Sequence, residues 1–140
     1  MKILVPVDGS EFTKRMLAYL TAHDEWLGAH HDYTIIHVAP AVPPRAAAAL
    51  DKAVLKAHYE ETAEKVFKPI RTFFARHQMK TRFVSKVGPA GDVIAEAADK
   101  GGYDIVIMGS HGQGSLLKLV MGSVTTKVMA QCKVPVLVIR

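Results

Sequence analysis

At 140 residues, 49% of them hydrophobic, the chain is long enough for one domain with a buried core and needs no second. A formal net charge of +5 suits an anionic partner such as a nucleotide, although many of the cations between Lys52 and Arg82 interleave with Glu60, Glu61 and Glu64 as on a solvated helix face. One cysteine, Cys132, excludes an intrachain disulfide, and no apolar run reaches signal-peptide or membrane-spanning length, so the expectation is a cytoplasmic protein with no membrane contact.

Lys2 to Val7 is an almost unbroken apolar run stopped by Asp8-Gly9-Ser10, which reads as a strand buried on both faces. Ser10 is a candidate N-cap for a helix whose apolar positions are Phe12, Met16, Leu17, Leu20 and Leu27. Tyr33 to Val38 is the second strand, and the three prolines between Ala39 and Pro44 impose a loop. From Arg45 to His77 the pattern is helical, with Leu50, Val54, Ala57, Ala63, Val66, Ile70, Phe73 and Phe74 as the apolar stripe; Pro69 predicts a kink or break near residues 65 to 69. Thr81 to Val87 is a third strand, Gly88-Pro89 a turn, and Asp92 to Lys100 a short helix. Gly101-Gly102 then turns the chain into a fourth strand, Tyr103 to Met108, and a helix over Ser123 to Cys132 leads to a fifth, Val134 to Ile139.

Five apolar strands alternating with helices predict a single-domain, Rossmann-like α/β fold: an open parallel five-stranded sheet with helices on both faces. In such sheets ligands bind beyond the carboxyl ends of the strands, where the strand order reverses. An order of 3-2-1-4-5 puts that point between the first and fourth strands, so that Asp8 and Gly109 flank one crevice.

The stretch from Gly109 to Ser123, GSHGQGSLLKLVMGS, carries the functional signal. Glycines can take positive φ and let backbone N–H groups approach an anion closely, and a helix starting at Gly122 or Ser123 adds unpaired N–H groups and a positive dipole end. The spacing describes a phosphate cradle, against the plain alternative of a flexible turn. Asp8 is placed for ribose hydroxyls or a divalent cation, or simply caps its turn. Pro6, Val7, Val38 and Met108 are candidate apolar walls for a base, or ordinary core. His111 is a candidate phosphate donor, or an exposed loop histidine. The apolar insert Gln113 to Met121 is expected to order as a flap over a bound triphosphate.

Stronger signatures are absent. GSHGQG is followed by Ser115-Leu116 rather than the Lys-Ser/Thr of a Walker loop, no GxGxxG follows the first strand, and the other histidines lack metal-ligand spacing. His30 and His31 are adjacent, so their side chains should diverge. No nucleophile, base and orienter fall at a defensible spacing, so neither a catalytic residue nor a metal site is expected.

These residues resemble the universal stress protein family, whose nucleotide-binding members carry Gly, two residues, Gly, nine residues, Gly and Ser or Thr; here Gly109, Gly112, Gly122 and Ser123 fill every position. The likeness extends to the strand ending in Asp8, the strand ending at Val38, the Val87-Gly88-Pro89 turn and the closing VPVLVIR. The resemblance implies an ATP-binding domain with strand order 3-2-1-4-5, with ATP and magnesium as ligands. It places Asp8 and Val38 on ribose and adenine, Gly109, Gly112, Gly122 and Ser123 on the phosphates, and Val124 and Thr125 at the same helix start. It also implies a homodimer paired through the last strand and a role as a nucleotide-dependent regulator or sensor in the stress response. The alternatives are a slow ATPase and a protein-interaction module without nucleotide. No aromatic-basic stacking pattern favours nucleic acid.

Overall fold

The β-branched runs form five strands, β1 (Lys2–Pro6), β2 (Asp32–Ala39), β3 (Lys80–Val87), β4 (Ile105–Gly109) and β5 (Val136–Ile139), in a computed structural model that describes residues 1–114 and 120–140. All neighbours pair in parallel, in the order β3-β2-β1-β4-β5. The helices are α1 (Glu11–Ala22), α2 (Asp24–Leu27), α3 (Pro44–Ala48), α4 (Lys52–Arg76), α5 (Ala90–Lys100) and α6 (Ser123–Gln131).

Period-two alternation divides the central strand between two cores. Ile3 and Val5 join Met16 and Leu20 of α1 and Phe67 and Phe74 of α4. Leu4, on the opposite face, joins Ile94 and Ala98 of α5 and Val128 of α6. Full burial of each such side chain contributes about 1.5–3 kcal/mol, which is why β1 is an almost continuous apolar run. Ser10 caps α1 by accepting the Thr13 N–H at 3.4 Å, and the buried Tyr33 hydroxyl donates to the carbonyls of Leu27 and Gly28, tying α2 to β2. Burial pushes the Tyr33 pKa up to about 12.

Several details depart from the sequence-based expectation. Residues 45–77 form two helices, α3 and α4, parted at Ala49–Asp51, whereas α4 runs unbroken through Pro69. Pro69 and Lys65 both lie on the exposed side of α4, so the Lys65 carbonyl that loses its helical donor faces water. Leu50 and Val54 accordingly lie outside the core, 43% and 51% exposed. Leu27 belongs to the separate α2, and β5 starts after Pro135, which has no N–H for the ladder although its carbonyl accepts from Val106 N–H at 2.8 Å. The His30 and His31 rings come within 3.8 Å of each other, because the chain turns there and side chains do not alternate as in a strand. Finally, β3 is a half-exposed edge: Arg82, Val84 and Lys86 face the side of α5, which covers that end of the sheet only in part.

Candidate functional site

The carboxyl ends of β1 and β4 part at the switch point around a cleft of about 510 Å³, open to solvent. Pro6, Val7 and Asp8 enter it from β1 and its following turn, Val38 from β2, and Met108 and Gly109 from β4. His111 and Gly112 come from the glycine loop, and Val124 and Thr125 from the first turn of α6. Gly122 and Ser123 do not line it. Gly122 is buried behind the loop with its N–H donating to Ser110 O at 2.8 Å, and Ser123 is exposed at the first position of α6.

Thr13, Ile36, Ala90 and Ile94 also line the cleft and were missed from the sequence. Ile36 shares a strand face with Val38, two residues on, and Ala90 and Ile94 are four apart on one face of the helix after Gly88-Pro89. Both periodicities were legible. Thr13 lies three residues beyond the Ser10 cap, and its hydroxyl donates to Asp8 Oδ1 at 3.0 Å.

Asp8 is the polar centre of the cleft. Its Oδ1 accepts from Thr13 and from the Ser10 N–H at 2.9 Å, and its Oδ2 accepts the Gln113 N–H at 2.9 Å. The Gln113 side-chain amide donates a second bond, to the Asp8 carbonyl at 2.9 Å, so Gln113 latches the glycine loop to the end of β1 at two points. A carboxylate offers about four acceptor sites; three are used, leaving one on Oδ2 toward the cleft. Its capping role and its place in the cleft therefore coexist.

The motif glycines do not supply the positive φ that the sequence suggested. None of Gly109, Gly112 and Gly122 has positive φ; Gly9, Gly88, Gly102 and Gly114 do. What they share is lack of room. A Cβ on Gly109 would stand 2.9 Å from Phe12 Cβ, on Gly112 2.6 Å from Asp8 Oδ2, and on Gly122 3.0 Å from His111 Cα. The glycines let the loop lie flat on α1, on Asp8 and on itself.

That packing delivers the loop to the start of α6, where no side chain caps the helix. Thr125 Oγ1 donates to the Gly109 carbonyl at 2.9 Å, fixing the end of β4 against that helix. His111 stacks on Phe12 with ring centroids 4.8 Å apart, and its Nδ1 lies 2.9 Å from Ser110 Oγ. The expected flap over Gln113 to Met121 falls largely on residues 115–119, outside the described residues. Among the described residues no three His, Cys, Asp or Glu side chains could hold a metal ion together, and no helix is long and apolar enough to cross a membrane.

An open parallel sheet with an apolar cleft at its switch point and an uncapped helix start at the rim defines a Rossmann-like α/β domain. The chain belongs to the universal stress protein family, whose model matches residues 1–140. Among curated relatives, a universal stress protein of Thermus aquaticus is 29% identical over 138 residues, covering 99% of this chain and 97% of the relative. Universal stress protein MJ0577 of Methanocaldococcus jannaschii is 34% identical over 86 residues, a match spanning 61% of this chain and about half, 53%, of that relative. The solved structure of MJ0577 superposes with a TM-score of 0.78 at 26% identity, covering 99% of this chain and 94% of that one. A universal stress family protein from Arabidopsis thaliana, solved with AMP bound, superposes with a TM-score of 0.71 at 15% identity, covering 99% and 90%.

Proposed function

We propose that the cleft binds an adenine nucleotide, ATP with magnesium, and that the protein acts as a nucleotide-dependent regulator in the stress response. The observation that carries this reading is the juxtaposition of an apolar slot, a carboxylate with one open acceptor site and an uncapped helix start in one cleft. Val7, Val38, Ala90 and Ile94 would wall the base, and Asp8 Oδ2 would accept a ribose hydroxyl. The N–H groups of Val124 and Thr125 would meet the phosphates with the positive end of the helix dipole, while Gly109, Gly112 and Gly122 hold the loop close enough for them to do so. Family structures solved with AMP, with cAMP and with dAMP support an adenine nucleotide as the ligand class. Magnesium would be carried mainly by the phosphates, because three of the Asp8 acceptor sites are already engaged. The protein would act as a homodimer paired along β5, in a reducing compartment.

Nucleotide-free protein melted with and without magnesium ATP tests the reading. At ligand 100 times above its dissociation constant the fold gains about 2.7 kcal/mol, seen as a clear rise in Tm. An unchanged Tm at millimolar nucleotide would remove the proposal.

A further inference from the structure

A second and larger concavity, about 680 Å³, lies on the face of the sheet that α5 leaves open. Its floor is Leu4, Ile36 and Val84, with Thr34 among them. Thr34 is only 7% exposed as a residue, and its hydroxyl makes no hydrogen bond among the described residues, so it is open to a partner in the groove.

The rim is basic. Arg82 and Lys86 rise from β3, two residues apart on either side of Val84, and Lys100 faces them from the last turn of α5. Arg82 Nη2 donates to the Tyr103 hydroxyl at 3.1 Å, and Lys2 Nζ lies 5.4 Å from the centroid of the same ring. The carboxylate in the lining, Glu96, is paired with Lys100 at 2.5 Å. That hydrogen bond first, and then the charges of Lys100 and Lys86, hold the Glu96 carboxyl below the usual range. Lys86 makes no ion pair among the described residues, so with Lys100 paired to Glu96 the lining keeps two uncompensated cations, Arg82 and Lys86. An apolar floor, one open hydroxyl and a positive rim are the complement of an anionic head on an apolar body.

We infer that the groove between β3 and α5 is a second binding site, distinct from the switch-point cleft, for a small organic anion: a phosphate monoester or carboxylate on an aromatic or aliphatic body. The anionic group sits between Arg82 and Lys86, the body lies on Val84 beside Ala97 and Tyr103, and Thr34 donates or accepts one hydrogen bond. Ile36 lies at the edge of both cavities, so the two sites share one wall.

Amide-shift mapping of the full chain tests this, with 1-naphthyl phosphate, 1-naphthoate and the neutral 2-(1-naphthyl)ethanol as probes titrated without nucleotide, and AMP titrated in a separate arm. Saturable shifts at Thr34, Arg82, Val84, Ala97 and Tyr103 are expected for one or both anions, with the alcohol at least about tenfold weaker. The exposed double variant Arg82→Glu with Lys86→Glu should weaken the anions by about tenfold or more while leaving the AMP-induced shifts at Asp8 and Gly109 unchanged. Anion shifts confined to Asp8 and Gly109–Gly112, equal binding of the alcohol, or equal binding by the double variant would each overturn the inference. Failure of AMP to shift Asp8 falls on the nucleotide reading alone, because the groove is read from different amides.

Discussion

Gly109 stands at the end of β4 with the first turn of α1 directly against it. An added Cβ would meet Phe12 Cβ at 2.9 Å and the Phe12 carbonyl oxygen at 3.2 Å, and the second of these is backbone that cannot rotate away. Gly109→Ala must therefore shift α1 or the strand end, an overpacking cost of about 1–3 kcal/mol. Urea denaturation without nucleotide measures it. Were Gly109 glycine only so that phosphate could approach, the substitution would weaken nucleotide binding and leave ligand-free stability untouched, which is the result that rejects the packing account. Gly112→Ala reaches the same cleft by another route. Its Cβ would lie 2.6 Å from Asp8 Oδ2, on the oxygen that accepts the Gln113 N–H, so it breaks the latch between β1 and the loop.

At the scale of elements, the sequence was read well wherever one periodicity ruled a segment. β1 and β2 are apolar because both faces are covered, and their positions followed from that pattern, whereas the strand order was implied by the family resemblance. The cleft was legible through the same topology, since Asp8, Val38 and Gly109 are strand ends and strand ends converge at the switch point. What could not be read was contact between segments distant in sequence. The Asp8 to Gln113 latch spans 105 residues, and the crowding of the glycines by Phe12, Asp8 and His111 exists only once the chain is folded. Pro69 misled for a related reason: local chemistry says break, but Phe67, Ile70 and Phe74 anchor α4 on both sides of it while the orphaned Lys65 carbonyl faces water. A helix that persists through a proline still carries its cost. Pro69→Ala, at an exposed position with little packing to lose, restores the Lys65 hydrogen bond and should raise stability by about 2 kcal/mol. That figure is the helix-interior penalty of about 3 less the unfolded-chain entropy that proline removes. Chemical denaturation of the two proteins reads the difference, and equal stability would mean that α4 accommodates Pro69 without loss.

The whole molecule has two sheet edges, and they are treated differently. β3 carries Lys80, Arg82 and Lys86, with Lys80 paired to Asp32 across the strands at 2.8 Å, and such charge blunts an edge against pairing with another chain. β5 reads VLVI, with Val136, Leu137 and Val138 half-buried and no charge until Arg140. The Pro135 and Ile139 carbonyls accept from Val106 and Ser110, so alternate residues, Pro135, Leu137 and Ile139, turn their backbone groups toward β4. Val136 and Val138 must then point theirs outward along the open edge. Val138→Pro therefore deletes an outward donor, costs no bond to β4, and falls where an edge strand tolerates proline. If two copies of the chain pair along this edge, sedimentation should show the wild type as a dimer and Val138→Pro as a folded monomer with its nucleotide-dependent rise in Tm retained. A variant that remains dimeric would move the subunit contact off β5, and a wild type that sediments as a monomer would remove the dimer altogether.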